Sequence, residues 1–242
     1  MKHLLDNPVW AALTSGNASL ASGQKSAKYF SKDVSLFAGV EENTAENFKL
    51  LYETIPFDDP VAIFTDSKML DPAPWTIIKR IDGYQMVYPS IPEPDNKLLD
   101  FVKLTDQNVP EMLRLTNLTN PGPFLPRTID FENYEGIFRN DSLVAMAGWR
   151  FHSGNNIEIS AVCTHPEYTG KGYARNLILN QVRKIQESGE IAYLHVRADN
   201  NRAIKIYRSM SFEMRNEMII YFIKKNKLTT AFSRSPRLTS LC

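Results

Sequence analysis

Cysteine is nearly absent from this chain: two in 242 residues, one of them the last residue. So few thiols make no disulfide framework, and a reducing compartment, the cytoplasm, is the expectation. Long apolar runs are missing too. Nothing approaches the ~20 apolar residues that a membrane-spanning helix needs. The opening MKHLLDNPVWAAL is broken by Asp6 and Pro8, which speaks against a secretory leader. Neither sign of charge is in excess: 28 basic residues stand against 27 acidic ones, for a formal charge of +1. With no long-range field, neither nucleic acid nor an anionic membrane is implied as a partner. Complete nucleotide motifs are lacking as well. No Gly-x-Gly-x-x-Gly occurs, and Lys171 is followed by Gly172 and Tyr173 rather than by the Ser or Thr of a phosphate loop.

What is present centres on residues 157–185. Ile157, Ile159, Ala161 and Val162 form a short apolar run suited to a buried strand, and Pro166 stops it. Thr169-Gly170-Lys171-Gly172-Tyr173-Ala174 then turns into a segment with Leu177, Ile178, Val182 and Ile185 near helical spacing. A strand, a glycine turn and a helix start present bare N–H groups and the positive end of a helix dipole, which suits a phosphate. Glycine reaches unusual backbone angles and puts no side chain in the way. By itself the pattern also fits a plain tight loop.

A second motif follows. Leu194 and Val196 alternate with His195 and Arg197 as in a strand, and Asp199-Asn200-Asn201 breaks it and caps a helix. That helix, 202–210, puts Ala203, Ile206, Tyr207 and Met210 on one face, and Met218, Ile220 and Phe222 alternate in a last strand. With VCTHPEYTGKGYARNLI and LHVRADNNRAIKIYRSMSF in this order, the chain resembles the GNAT superfamily of acyl-CoA-dependent N-acyltransferases. Within it the chain looks closest to the branch of glycine N-acyltransferase-like proteins. The resemblance covers 143–222 well and 101–139 more loosely.

The resemblance implies an α/β (α+β) fold, the GNAT fold: a central mixed, mostly antiparallel sheet flanked by helices. It implies acetyl-CoA as cofactor, no metal, and a small-molecule or peptide amine as partner, with the protein a monomer or homodimer. The family's pyrophosphate turn falls on Thr169, Gly172 and Ala174, and Thr169 departs from the usual Arg or Gln. The cofactor set it implies is Val162, Cys163, Thr164, Thr169, Gly170, Lys171, Gly172, Tyr173, Ala174, Arg175, Asn201 and Tyr207. The backbone of Val162 and Thr164 pairs with the pantetheine arm, Asn201 contacts that arm, and Tyr207 protonates the departing thiolate. Without the resemblance, Asn201 reads as a helix cap and Tyr207 as a core aromatic.

The chemistry asks for these types. An amine must arrive unprotonated, a thiolate must leave with a proton, and a phenol near the sulfur can give it. A free N–H near Val162 or Cys163 serves the developing oxyanion. Glu158 on the central strand is the first candidate for the base, with His152, His165 and Glu167 behind it. Glu158 could equally be a solvent-facing strand residue, and Cys163 a buried structural thiol. Phe124, Arg127 and Trp149 are the candidate acceptor contacts; the first two sit in the stiff Asn120–Arg127 turn. Two other functions fit: a CoA-binding sensor or interaction protein without turnover, and a phosphate- or nucleotide-binding domain that met the glycine turn by convergence.

Two bodies and an extension are expected from the length. Residues 1–95 read as an N-terminal α/β domain without the cofactor motif, a degenerate GNAT-like copy by its order of elements. Here 15–28 is loop, Val34–Val40 and Val61–Thr65 are strands, and 76–88 holds one or two more. Phe48, Leu51, Tyr52 and Ile55 mark an amphipathic helix over 46–55. Ser90–Asn96 is the linker. Residues 96–224 are the catalytic domain, with a strand at 101–104, a helix at 106–118 and a hairpin of 143–151 with 157–163. Residues 225–242 form a basic, polar extension.

Overall fold

The computed structural model describes residues 3–66, 68, 70–89 and 100–226. The chain opens with α1 (Pro8–Thr14), a hairpin of β1 (Ala21–Gln24) and β2 (Ala27–Phe30), then β3 (Ala38–Val40) and α2 (Ala45–Thr54). Two strands follow, β4 (Val61–Thr65) and β5 (Trp75–Val87). Next come β6 (Val102–Lys103), α3 (Val109–Thr119), β7 (Glu135–Arg139), β8 (Ser142–Ser153) and β9 (Asn156–Thr164). The last elements are α4 (Tyr173–Glu187), β10 (Ile191–Arg197), α5 (Asn201–Ser209) and β11 (Glu213–Lys225).

Local chemistry sets most boundaries. Thr44 caps α2 by accepting from the Asn47 N–H at 3.2 Å, and Phe48 and Leu51 turn inward one turn apart. α3 starts with Pro110 in its first turn and ends at Asn120, whose φ of 48° is the left-handed closure that Asn tolerates. The stretch 15–28 is not a loop throughout. It holds the β1–β2 hairpin, whose small polar residues give no alternation for a sequence reading to catch. The hairpin turns at Lys25-Ser26, and Gly23, paired with Lys28, sits at φ 120°, where an added Cβ would lie 2.4 Å from a backbone oxygen.

The main sheet has the order β4-β11-β5-β10-β9-β8-β7-β6, antiparallel except between β9 and β10. On one face α1 and α3 bury a cluster that includes Leu13, Phe30, Phe64, Met112, Tyr134 and Phe151. On the other, α4 and α5 bury Ile159, Ile178, Val182, Leu194 and Ile204. Each fully buried side chain of this size stabilises by ~1.5–3 kcal/mol.

The expected division at residue 95 needs correcting. β5, from the first ninety residues, lies between β10 and β11 and pairs with β11 from Trp75 to Val87. β4 closes the same sheet beyond β11. Strands of the first part thus complete the sheet of the second, because β10 and β11 each need a partner along their facing edges. Split between two sheets, the strands of the first part do not build a second copy of the catalytic unit. The Ser90–Asn96 linker lies outside the described residues, as does the extension beyond Asn226, while Lys225 still belongs to β11.

Candidate active site

β9 and β10 pair only over Asn156–Glu158 and Ile191–Tyr193. Beyond Glu158, β9 is bonded to β8 and β10 to β5, so the two strands part toward their C-terminal ends. At the parting β9 is bulged: its register with β8 slips between Met146 and Gly148, and Ala161 sits at φ 50°. A bulge releases backbone groups from the ladder, and a non-glycine residue held in the left-handed region is a mark of functional sites.

Beside the end of β9 stands the start of α4, where Tyr173 packs in one cluster with Val162. Gly170 and Gly172 both have φ 79°, and Gly172 is the N-cap with no side chain bonding to the first turn. A Cβ on Gly170 would meet nothing within 4 Å. The first bond that closes the helix runs from the Asn176 N–H to the Gly172 carbonyl, at 3.0 Å. The N–H groups of Lys171 to Ala174 therefore point forward unspent, at the positive end of a helix of 15 residues. Thr169 does not join them; its hydroxyl donates back to the Pro166 carbonyl at 2.9 Å. Lys171 lies over the Tyr168 ring at 4.6 Å, Tyr168 stacks on Tyr173 at 6.4 Å, and Arg139 donates to the Tyr173 hydroxyl at 3.1 Å. Arg175 reaches Ser209, which ties α4 to α5. Near the end of β9 the Thr164 hydroxyl is buried without a partner among the described residues. Free donors, an open turn and an orphaned hydroxyl beside a parted strand fit a diphosphate on an extended arm.

α5 supplies the other wall. The cap role that the sequence also offers Asn201 belongs to Asn200, whose side chain accepts from the Ala203 N–H at 3.1 Å. That leaves the Asn201 amide without a partner among the described residues. Half-buried Tyr207 packs against Phe212 at 6.0 Å, and burial pushes its phenol up to about 12, so the hydroxyl keeps its proton.

Glu158 is not a solvent-facing strand residue. Its side chain is 1% exposed. Arg150 donates to both of its oxygens, Nε to Oε2 at 2.7 Å and Nη2 to Oε1 at 2.6 Å. Burial alone would raise its pKa, yet Arg150 and His195 hold the carboxyl at about 2. His195 Nδ1 lies 2.7 Å from Oε1, and His195 Nε2 lies 3.0 Å from Gln85 Nε2. The network assigns the tautomer. Arg215 can only donate, so its bond of 2.8 Å fixes the Gln85 oxygen, and the Gln85 amide nitrogen must face His195. His195 Nε2 therefore accepts, and its proton is on Nδ1, toward Glu158. The chain ends where Gln85 donates to the Leu5 carbonyl at 3.0 Å and Arg215 to Asp6 at 2.6 Å. Arg150 lies on the rings of Phe151 and Phe37, at 4.6 and 4.8 Å. A carboxylate so bound is a weak base.

The remaining candidates scatter. Cys163 is buried, and burial pushes its thiol up to about 12, far from a thiolate nucleophile. His152 is bound to Glu190, and the His165 ring accepts from the Glu167 N–H at 3.3 Å. Phe124 packs edge-on against Tyr134 at 5.7 Å on the α3 face, whereas Trp149 packs against the cluster under α4. The structure thus puts these two acceptor candidates on opposite faces. Arg127 is exposed and paired with Asp130 at 2.7 Å. Arg150, His195, Gln85 and Arg215 were missed as a group. The Leu194/His195 alternation marks a polar face, but nothing local says that residues from the first ninety cover it.

A structure from Novosphingobium aromaticivorans, described as a candidate acetyltransferase of the GNAT family, superposes with a TM-score of 0.86 at 29% identity, over 93% of this chain and 100% of that one. This chain has the GNAT fold. A GCN5-related N-acetyltransferase from Kribbella flavida shares the fold at 12% identity, with a TM-score of 0.61 over 90% of this chain and 94% of its own. A family model described as FR47-like protein matches residues 134–220, which hold β7 to most of β11 and so both walls of the parted strands. A curated Mycobacterium leprae protein, described only as uncharacterized, is 38% identical over 84 residues, 33% of this chain. This chain spans only 23% of that relative's length. No helix among the described residues is long and apolar enough to cross a membrane.

Proposed function

We propose that the protein transfers an acetyl or other short acyl group from acyl-CoA to a primary amine by direct attack, without an acyl-enzyme. The observation that carries this reading is the unspent first turn of α4, packed beside Val162 near the end of β9 and tied to α5, in a sheet whose β9 and β10 part. Bound acyl-CoA supplies the activated acyl group. The N–H groups of residues 170–174 hold its diphosphate, with Thr169 contributing no side-chain contact. The freed edge of β9 at Val162 and Thr164 pairs with the pantetheine amides, and Asn201 borders the same arm. A released N–H at the Ala161 bulge receives charge that develops on the acyl oxygen. Tyr207 gives its proton to the departing sulfur, and the phenolate takes up the proton that the attacking nitrogen sheds. Glu158 keeps the vertex of the parting in place and leaves the amine to arrive neutral. The likeness to glycine N-acyltransferase-like proteins, and a place in the cytoplasm, go with this reading.

The test is a panel of primary amines with acetyl-CoA, following thiol release. Turnover with at least one amine is expected. Stabilisation by ATP or NAD with acetyl-CoA inert would favour a nucleotide-binding domain instead. One observation favours a CoA-binding sensor as the second reading: both Glu158 oxygens are taken, so no ordinary carboxylate base stands at the parting. CoA binding without turnover of any amine would select it.

A further inference from the structure

Tyr134 is 1% exposed, and its hydroxyl has no hydrogen-bond partner among the described residues. Buried polar groups in folded proteins nearly always find one, so an orphan calls for a physical reason. The ring cannot swing the hydroxyl elsewhere. It lies flat on Gly148, where a Cβ would come within 2.3 Å of its Cδ1, and Phe124 packs edge-on at 5.7 Å. Gly148 pairs with Ser160, so the ring sits one strand from the bulge at Ala161. Its hydroxyl feels the charges of both Arg150 and Glu158. All this is on the α3 face of the sheet, opposite α4 and its glycine turn.

We propose that the Tyr134 hydroxyl receives the amino group of the acceptor, and that the acceptor is a neutral amine with an apolar or aromatic body. The second half follows from the surroundings. Arg150 and Glu158 cancel each other's charge, and His195 carries its proton on Nδ1 toward Glu158, so the floor holds no net charge for a polycation or a polyanion. Half-buried Phe124 packs edge-on against the Tyr134 ring, and half-buried Ala161 lies one strand away at the bulge, so both of these neighbours are apolar. The phenol oxygen can accept from one amine hydrogen and leave the amine's lone pair free for the thioester, so the hydroxyl orphaned in the free protein gains a partner only with the acceptor. The inference rests on the acyl-transfer reading and deepens it.

The experiment compares wild type with Tyr134→Phe, using acetyl-CoA and two amines, phenethylamine and spermidine. Wild type is expected to prefer phenethylamine. Tyr134→Phe should lower kcat/KM for it at least tenfold, about 1.4 kcal/mol, and leave the KM for acetyl-CoA unchanged. Because the lost hydroxyl is unbonded, the variant should melt no lower than wild type. A hydroxyl paired with a trapped water would give the opposite pattern, a lower Tm with unchanged kinetics, and would overturn the proposal. So would a preference for spermidine. If wild type turns over neither amine, the acyl-transfer reading is the one in trouble, and binding decides this one. Phenethylamine raising the Tm of the CoA-saturated wild type but not of the variant supports it; equal effects overturn it.

Discussion

The two sides of the parted strands are built on opposite plans. The α4 side is backbone: two glycines at φ 79°, donors with no acceptor, and open space above Gly170. The α3 side is side chain on side chain, a run from Arg150 through Glu158, His195 and Gln85 to Arg215 and Asp6. A backbone cradle must be vacant to work, so it owes the fold little and tolerates change in the side chains around it. A buried polar chain is satisfied only as a whole, so breaking one bond strands charges that water cannot reach. Binding and stability therefore separate, residue by residue, across one strand.

The largest break is on the side-chain side. Glu158→Gln leaves the Arg150 charge buried without its counter-charge, and a loss of about 3–5 kcal/mol is expected in urea unfolding. The pH course sharpens this. The folded carboxyl at about 2 lies below the unfolded value of ~4.3. Its contribution is therefore present above pH ~4.3 and fades as pH falls toward about 2. Glu158→Gln should flatten that acid limb, and an equally steep limb in the variant would place the titration elsewhere. Next in size is Tyr207→Phe. It should lower kcat by ~10²-fold or more with CoA affinity nearly unchanged, the cost of losing a positioned proton donor. Parent-like kcat would remove Tyr207 from the chemistry.

On the backbone side, Gly172→Ala forces a side chain into left-handed geometry, with Asn176 Nδ2 at 3.4 Å from the new Cβ. A cost of ~1–2 kcal/mol in stability is expected, together with weaker CoA binding by titration calorimetry. An unchanged affinity would mean the turn does not touch the cofactor. The smallest change is Arg127→Ala. Its ion pair with Asp130 is on the surface and should matter by ~0.5 kcal/mol or less. Acceptor kinetics should stay at the parent values; a raised acceptor KM would restore Arg127 as a contact.

The same contrast governs what could be read from the sequence. The glycine turn is local: a strand, the Thr169–Ala174 turn and a helix are contiguous, so their order is legible in the sequence, and the second motif at Asn200-Asn201 is what sets them apart from a plain tight loop. The buried chain is assembled from six elements far apart in sequence, and Glu158 looks the same there as a solvent-facing glutamate. β5 is the clearest case. Residues 76–88 read as strand from the sequence, but only the unpaired edges of β10 and β11 decide that β5 enters their sheet, and pairing over more than a hundred residues leaves no local trace. The β1–β2 hairpin escaped for another reason, since Ala21–Gln24 is exposed along most of its length and has no apolar face to alternate.

The central claim concerns bare amides, and amides can be watched directly. In a ¹⁵N–¹H titration with coenzyme A, the resonances of Gly170 to Ala174 should move first and furthest, downfield as their N–H groups bond to phosphate. The β9 amides from Val162 to Thr164 should follow. Saturating coenzyme A that leaves residues 170–174 unmoved, or shifts a different set, would contradict the account.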